Sequence, residues 1–240
     1  MSKKIVGILG GMGPLSTIEL MKKVIEKTPV EKEQDHIRML VDNRPEIPDR
    51  TEFILGKGPS PVPMLQESAQ QFEKWGAEFL AIPCNSAHIF INQIRDAINI
   101  PVLDMIDLVR IEIEKHFSSG ASVCLLATTG TLKTNLYHQY LKAYTLVIPD
   151  EKMQQELVME AIYGKKGIKA RGNTHENRKK LMGAIDSLIG KQPKAIIAGC
   201  TEVELALEGI ELQVPIFYPL DILANKIINL VNRLTKVKKV

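Results

Sequence analysis

Cysteine is scarce in this chain of 240 residues: Cys84, Cys124 and Cys200 are the only three, and they lie far apart. An odd, widely spaced set builds neither a disulfide framework nor a zinc site. Free thiols of this kind belong in a reducing cytoplasm. The five histidines, His36, His88, His116, His138 and His175, fall at no metal-ligand spacing either, so no metal is expected. Long apolar runs are also missing. Nothing approaches the ~20 residues that a bilayer span needs, so no membrane partner is expected. The short apolar run after Lys4 breaks at Gly10-Gly11-Met12-Gly13, which reads as a first strand and its turn rather than a signal peptide. Charge of one sign is lacking too: 31 Lys plus Arg against 28 Asp plus Glu leave a formal net of +3. That is no footprint for nucleic acid, and Lys236, Lys238 and Lys239 read as a solvated tail.

What is present is an alternation of apolar runs and helical patterns, in a length that suits one large domain or two small ones. Lys4 to Leu9 reads as a strand, and Pro14 suits the first position of a helix whose face carries Leu15, Ile18, Met21 (or Leu20) and Ile25. Met39 to Val41 reads as a strand. Asn43 to Pro63, with five prolines, is too interrupted for a long element and is a candidate active-site loop. Leu65 to Trp75 is helical by period, Phe79 to Ile82 a strand, and His88 to Ile98 a helix. Pro101 to Met105 is a strand, followed by a helix from Asp107 to His116. Strand and helix in turn predict an α/β fold with a mostly parallel sheet.

The second half repeats the first. Gly7 to Gly13 aligns with Cys124 to Gly130, 117 residues on, and Thr17 falls on Thr134 at the same offset. Cys84 and Cys200 are 116 apart, and Pro101 to Asp107 matches Pro215 to Asp221 at an offset of 114. Four matches in order at nearly constant offset indicate an internal duplication. The expectation is two pseudo-symmetric lobes, each a mostly parallel sheet flanked by helices, with the active site in the cleft between them. Residues 1–105 plus 214–240 would form the N-terminal lobe with Cys84, and 106–213 the C-terminal lobe with Cys200. The last helix, Ile222 to Leu234, would return to the first lobe.

In parallel α/β sheets, ligands gather beyond the carboxyl ends of the strands. Four segments arrive there: Gly10 to Gly13, Cys84 to Ser86, Ala127 to Thr131, and Cys200 to Thr201. The glycine turn lacks the third glycine of a dinucleotide fingerprint, and Pro14 removes an N–H that would cradle a phosphate. Cys84 precedes the N-cap types Asn85 and Ser86; Cys200 precedes Thr201 and Glu204, which have capping-box spacing. A helix start favours thiolate. Cys124 sits inside an apolar strand and reads as packing, and His88 as support for its loop. Two thiols on opposite faces of a carbon acid suit a proton removal on one side and a return on the other.

These motifs resemble the cofactor-independent aspartate/glutamate racemase family, and within it the aspartate branch. The resemblance rests on Gly10-Gly-Met-Gly-Pro14, Asn43 with Ile47-Pro-Asp-Arg50, and Pro83-Cys-Asn-Ser-Ala-His88. It continues through Leu126-Ala-Thr-Thr-Gly-Thr131, Gly167-Ile-Lys-Ala170 and Gly199-Cys-Thr-Glu202. It implies interconversion of L- and D-aspartate, with glutamate also within reach, without pyridoxal phosphate or metal. Cys84 and Cys200 would be the acid/bases, Cys84 for the D- and Cys200 for the L-enantiomer. Arg50 would bind the side-chain carboxylate with help from Lys169. Asn85, Ser86, Thr129 and Thr201 would hold the α-carboxylate or amino group, Met12 would pack beside the substrate, and the chain would be a homodimer.

Three departures stand out. Ser86 replaces a usual threonine. Arg171 stands where the family often has glycine, which keeps Lys165 and Lys166 open as alternatives to Lys169. Glu202 stands where glutamate racemases have histidine, and an ionised carboxylate there opposes thiolate at Cys200. Related decarboxylases or cis–trans isomerases of dicarboxylic acids remain alternatives, as does a non-catalytic binder of acidic amino acids. Two retained cysteines weigh against all of them.

Overall fold

A computed structural model describes residues 4–237. Lys238 and Lys239 of the anticipated tail lie outside the described residues, as does the Lys236 side chain. The chain divides into two compact units: one runs to Met105 and resumes at Leu220, the other is Ile106–Pro219.

In the first unit, β1 (Val6–Gly10) is followed by α1 (Pro14–Lys27), β2 (Met39–Asn43), α2 (Arg50–Ile54), α3 (Val62–Lys74), β3 (Phe79–Ala81) and α4 (Ile91–Arg95). The sheet order is β2-β1-β3, all parallel. Every residue of β1 is buried, as expected of a central parallel strand covered on both faces. The turn into α1 is built on glycine. Gly11 has φ +89°, a region L side chains avoid, and its N–H donates to Thr17 Oγ1 at 2.9 Å. A Cβ on Gly10 would strike the Thr17 side chain. Pro14 then supplies the first helical residue. Leu9, Leu65, Phe72, Leu80, Ile82 and Ile94 fill the core.

The second unit holds α5 (Met105–His116), which starts at the end of the first unit. After it come β4 (Ser122–Leu126), α6 (Thr129–Lys133), α7 (Leu136–Tyr140) and β5 (Thr145–Val147). A π-helical turn, Gln154–Met159, separates α8 (Glu151–Met153) from α9 (Glu160–Tyr163). Then follow α10 (Ile168–Arg171), α11 (His175–Ile189), β6 (Ala195–Ala198), α12 (Thr201–Leu207) and β7 (Ile216–Phe217). The sheet order is β5-β4-β6-β7, again parallel. The last helix, α13 (Pro219–Val237), is tied to α1 through Asp221, which meets Lys23 at 2.9 Å and Lys27 at 3.2 Å.

The fold is therefore α/β, two parallel sheets flanked by helices, and each unit repeats one strand order. Gly7 pairs with Leu80 in one sheet, and Cys124 pairs with Ile196 in the other, at the positions the duplication aligns. Val102 makes one parallel bridge to Leu80, where Ile216 pairs with Ile196 in the second unit.

The details differ from the sequence reading in several places. The strand expected over 101–105 shrinks to that single bridge, because α5 already begins at Met105. The helix expected over 88–98 divides into a 3-10 turn, Ser86–Phe90, and the short α4. The proline-rich loop contains α2, whose start is capped by Asp49 accepting from the Glu52 N–H at 3.0 Å. The return to the first unit comes at Leu220 rather than 214, since Ile216 and Phe217 pair with β6. Among the described residues, no helix is long and apolar enough to cross a membrane.

Candidate active site

In the first unit, Cys84 follows β3 after Ile82 and Pro83 and is 4 % exposed. Its Sγ lies 3.5 Å from Ser86 Oγ, a neutral hydroxyl that can donate or accept. His88 braces the loop from beneath. The Met105 N–H donates to its Nε2 at 3.1 Å, so the ring proton resides on Nδ1, which donates to the Cys84 carbonyl at 2.8 Å. Burial holds the imidazole pKa below its usual value, against a weaker pull from Asp104. His88 is thus a neutral strut with both nitrogens occupied by backbone. Asn85 has helical φ and ψ and makes no side-chain cap, so the N-cap role anticipated there is absent.

Met12 shares an apolar cluster with Cys84 and Ile47. Its carbonyl accepts from Arg50 Nη2 at 3.2 Å, while Nη1 donates to the carbonyls of Ile47 at 3.2 Å and Pro48 at 3.0 Å. Arg50, 5 % exposed, stitches the proline-rich loop to the glycine turn. The first unit therefore brings together Met12, Arg50, Cys84 and Ser86, from segments 34 or more residues apart.

In the second unit, Cys200 follows β6 and is itself the extended N-cap of α12 (φ −141°, ψ 138°). Its carbonyl accepts from the N–H groups of Val203 and Glu204 at 3.0 and 3.1 Å. Thr201 is therefore the first helical residue rather than the N-cap that the capping-box spacing anticipated. Thr201 Oγ1 donates instead to Glu202 Oε2 at 3.2 Å. The same Oε2 accepts from Cys200 Sγ at 2.9 Å, and Oε1 takes the Lys169 ammonium of α10 at 2.8 Å. Lys169 also lies 5.3 Å above the Tyr163 ring. Its neighbours Lys165, Lys166 and Arg171 are all exposed.

The electrostatics follow from this chain of contacts. Burial works against the Glu202 carboxylate, but Lys169 and the hydrogen bonds outweigh it and hold its pKa below the usual value. Burial pushes the Cys200 thiol well up, the Glu202 charge adds to this, and Lys169 offsets only part. The thiolate preference anticipated from a helix start is thus reversed at Cys200: burial, joined by a carboxylate at hydrogen-bond distance, outweighs a terminal turn. Cys124, inside β4, has its thiol pushed up to about 12 by burial. Among the described residues, no group of three or more His, Cys, Asp or Glu side chains is placed to hold a metal ion.

Thr129 begins α6 behind the cap Thr128. The π-helical turn encloses it: Gln154 and Gln155 reach its Oγ1 at 3.3 and 3.4 Å, and its N–H points to Met159 Sδ at 3.3 Å. Sequence reasoning missed these three partners, because a π turn leaves no period to read and they lie 25 or more residues away.

Residues 9–227 match the model of the Asp/Glu/Hydantoin racemase family. The chain is 27 % identical over 218 residues to the broad specificity amino-acid racemase RacX of Bacillus subtilis, covering 88 % of this chain and 91 % of that one. Its fold superposes on Picrophilus torridus aspartate racemase with a TM-score of 0.84 at 29 % identity, covering 95 % of this chain and 94 % of that one. An aspartate racemase homologue from Pyrococcus horikoshii gives 0.72 at 25 % identity, over 96 % and 100 %. With the family match running through both units, the chain belongs to the Asp/Glu/hydantoin racemase family.

Proposed function

We propose that this protein is an amino-acid racemase that interconverts L- and D-aspartate by two-base proton transfer, Cys84 and Cys200 being the two acid/bases. The observation that carries this is the duplicated placement of the two thiols. Each is buried, each follows the corresponding strand of its own sheet, and each stands within two residues of the start of a helical turn. The reaction requires them on opposite faces of the substrate Cα. One thiolate removes the α-hydrogen as a proton, and the C–H electron pair moves into the carboxylate to give an enediolate. The opposite S–H then delivers its proton to Cα, leaving the inverted amino acid and the charge exchanged between the sulfurs.

No cofactor and no metal enter this scheme. Asn85, Ser86, Thr129 and Thr201 would hold the α-carboxylate and ammonium, where fixed polar groups stabilise the developing charge. Met12 would line the pocket, and Arg50 and Lys169 would recognise the side-chain carboxylate, Arg50 with its planar fork.

One observation favours a broader substrate range. Arg50 is already bonded to three backbone carbonyls and Lys169 to Glu202. An acidic side chain must compete with these contacts, so glutamate and less acidic amino acids belong among the substrates to test. One methylene is worth only about 1–3 kcal/mol of discrimination. The reading includes a reducing cytoplasm, where free thiols persist, and a homodimer. Leu15, Ile18 and Ile25 expose an apolar stripe on α1, 47, 56 and 44 % exposed, that a second copy would cover.

Incubation with L-aspartate in D2O tests the reading: optical inversion with deuterium at Cα is expected. Binding with neither would leave a non-catalytic binder, and loss of CO2 would mean a decarboxylase. Sedimentation measures the dimer.

A further inference from the structure

Glu202 and Lys169 do something that recognition of a substrate carboxylate does not require. Glu202 is 4 % exposed, and its two oxygens divide between two partners: Oε2 receives the Cys200 S–H at 2.9 Å and Oε1 the Lys169 ammonium at 2.8 Å. Thr201 Oγ1 donates to Oε2 as well, which fixes the carboxylate plane. Three elements contribute the charged and titratable groups around the sulfur: Glu202 from α12, Lys169 from α10, and Tyr163 from α9 behind the lysine. The rest of the cluster that holds Cys200 is apolar, with Leu126, Ala198 and Val203. An acceptor-only carboxylate at this distance requires that the proton sit on sulfur.

We propose that Glu202 and Lys169 are positioning residues that set the proton on Cys200: Glu202 holds it there by accepting the S–H, and Lys169 aims that carboxylate from its other oxygen while its positive charge offsets part of the hold. Cys200 then rests as the loaded proton donor, so the free enzyme starts its cycle by abstraction at Cys84. This last step rests on the racemase reading. The state of the Cys200 proton does not.

The test is alkylation of the intact protein by iodoacetamide between pH 6 and 10, followed at Cys200 by peptide mass spectrometry, since the rate follows the thiolate fraction. Glu202→Gln keeps the shape and removes the negative charge; alkylation at pH 7.5 should rise about tenfold or more as the profile moves to lower pH. Lys169→Met should move it the other way, with an about tenfold slower reaction, and Lys169→Arg should stay near wild type. Loosened packing alone would accelerate Cys200 in both charge-removing variants. A shift in the same direction for both, or an unmoved profile, overturns the proposal. Should Glu202→Gln not fold, the Lys169→Met and Lys169→Arg pair decides by the same readout. An unmoved profile in a protein that still racemises aspartate would sink the inference alone. Opposite shifts in a protein that exchanges no α-hydrogen would sink the racemase reading alone.

Discussion

Cys84 and Cys200 occupy equivalent places in two copies of one sheet, yet their surroundings differ in kind. At Cys84 the sulfur meets a neutral hydroxyl, and the nearby histidine spends both nitrogens on backbone. At Cys200 the sulfur donates to an ionised carboxylate that is itself clamped by a lysine. A duplicated backbone thus delivers two thiols to like positions, while side chains two residues downstream, Ser86 and Glu202, give one sulfur a neutral partner and the other an ionised one. In the proposed two-base reaction one thiol is loaded and one free at any moment, and this asymmetry would set which is which.

The largest effects should come from removing each sulfur in turn. Cys84→Ala and Cys200→Ala should each lower racemisation by at least about 10³-fold. They should fail differently. In D2O the Cys200→Ala protein retains only the Cys84 base and should exchange only D-aspartate. Cys84→Ala should exchange only L-aspartate, and more slowly, because its remaining base is the one held protonated. Exchange of both enantiomers by either variant, read by NMR at Cα, would break the assignment of one thiol to each face.

Next in size is the His88 strut. His88→Leu leaves the Met105 N–H and the Cys84 carbonyl buried without partners, and should cost about 2–4 kcal/mol in urea unfolding. Because burial depresses the His88 pKa, the folded state binds fewer protons than the unfolded one. Its stability should fall as pH drops below 6.5, and that pH dependence should be weaker in the leucine variant.

The Glu202–Lys169 pair ranks below it, since the lysine side chain keeps 21 % of its surface in solvent. Glu202→Ala should cost about 2 kcal/mol at neutral pH, discounted for that exposure from the cost of breaking a fully buried pair. Glu202 has a depressed pKa, so the pair contributes above pH 4.5 and its contribution is lost as pH falls through the lower folded value. The difference between wild type and variant should therefore vanish in acid. The corresponding change in the first unit, Ser86→Ala, removes one neutral contact at 3.5 Å and should stay under about 1 kcal/mol at any pH.

How much of this was legible in the sequence depends on range. The duplication was readable because it repeats whole strand-and-turn motifs at one offset, and the registers Gly7↔Leu80 and Cys124↔Ile196 carry the same offset in space. Elements set by short interactions were less readable. Met105 opens α5 and leaves Val102 a lone bridge, and no local pattern separates that from a strand. At the site, Glu202 could be read as hostile to a thiolate from its place two residues after Cys200. That Lys169, 33 residues earlier, holds it ionised is a tertiary contact with no sequence period. The partners of Thr129 were hidden for the same reason, behind a π turn.

The smallest expected effect concerns the third thiol, and it isolates what burial alone does to a cysteine here. Cys124 lies in β4 with no exposed surface, between strands β5 and β6, and its thiol is pushed up to about 12 by burial rather than by a carboxylate. Cys124→Ala removes one sulfur atom from a packed sheet core and should cost about 1 kcal/mol, the scale of a small cavity, with racemisation within about twofold of wild type. Native alkylation should spare Cys124 in every variant discussed, because neither Glu202 nor Lys169 sets its proton affinity. If Glu202→Gln sped the reaction of Cys124 as much as that of Cys200, the second unit would be opening as a whole. The contrast between the two site cysteines would then lie in local stability rather than in the carboxylate.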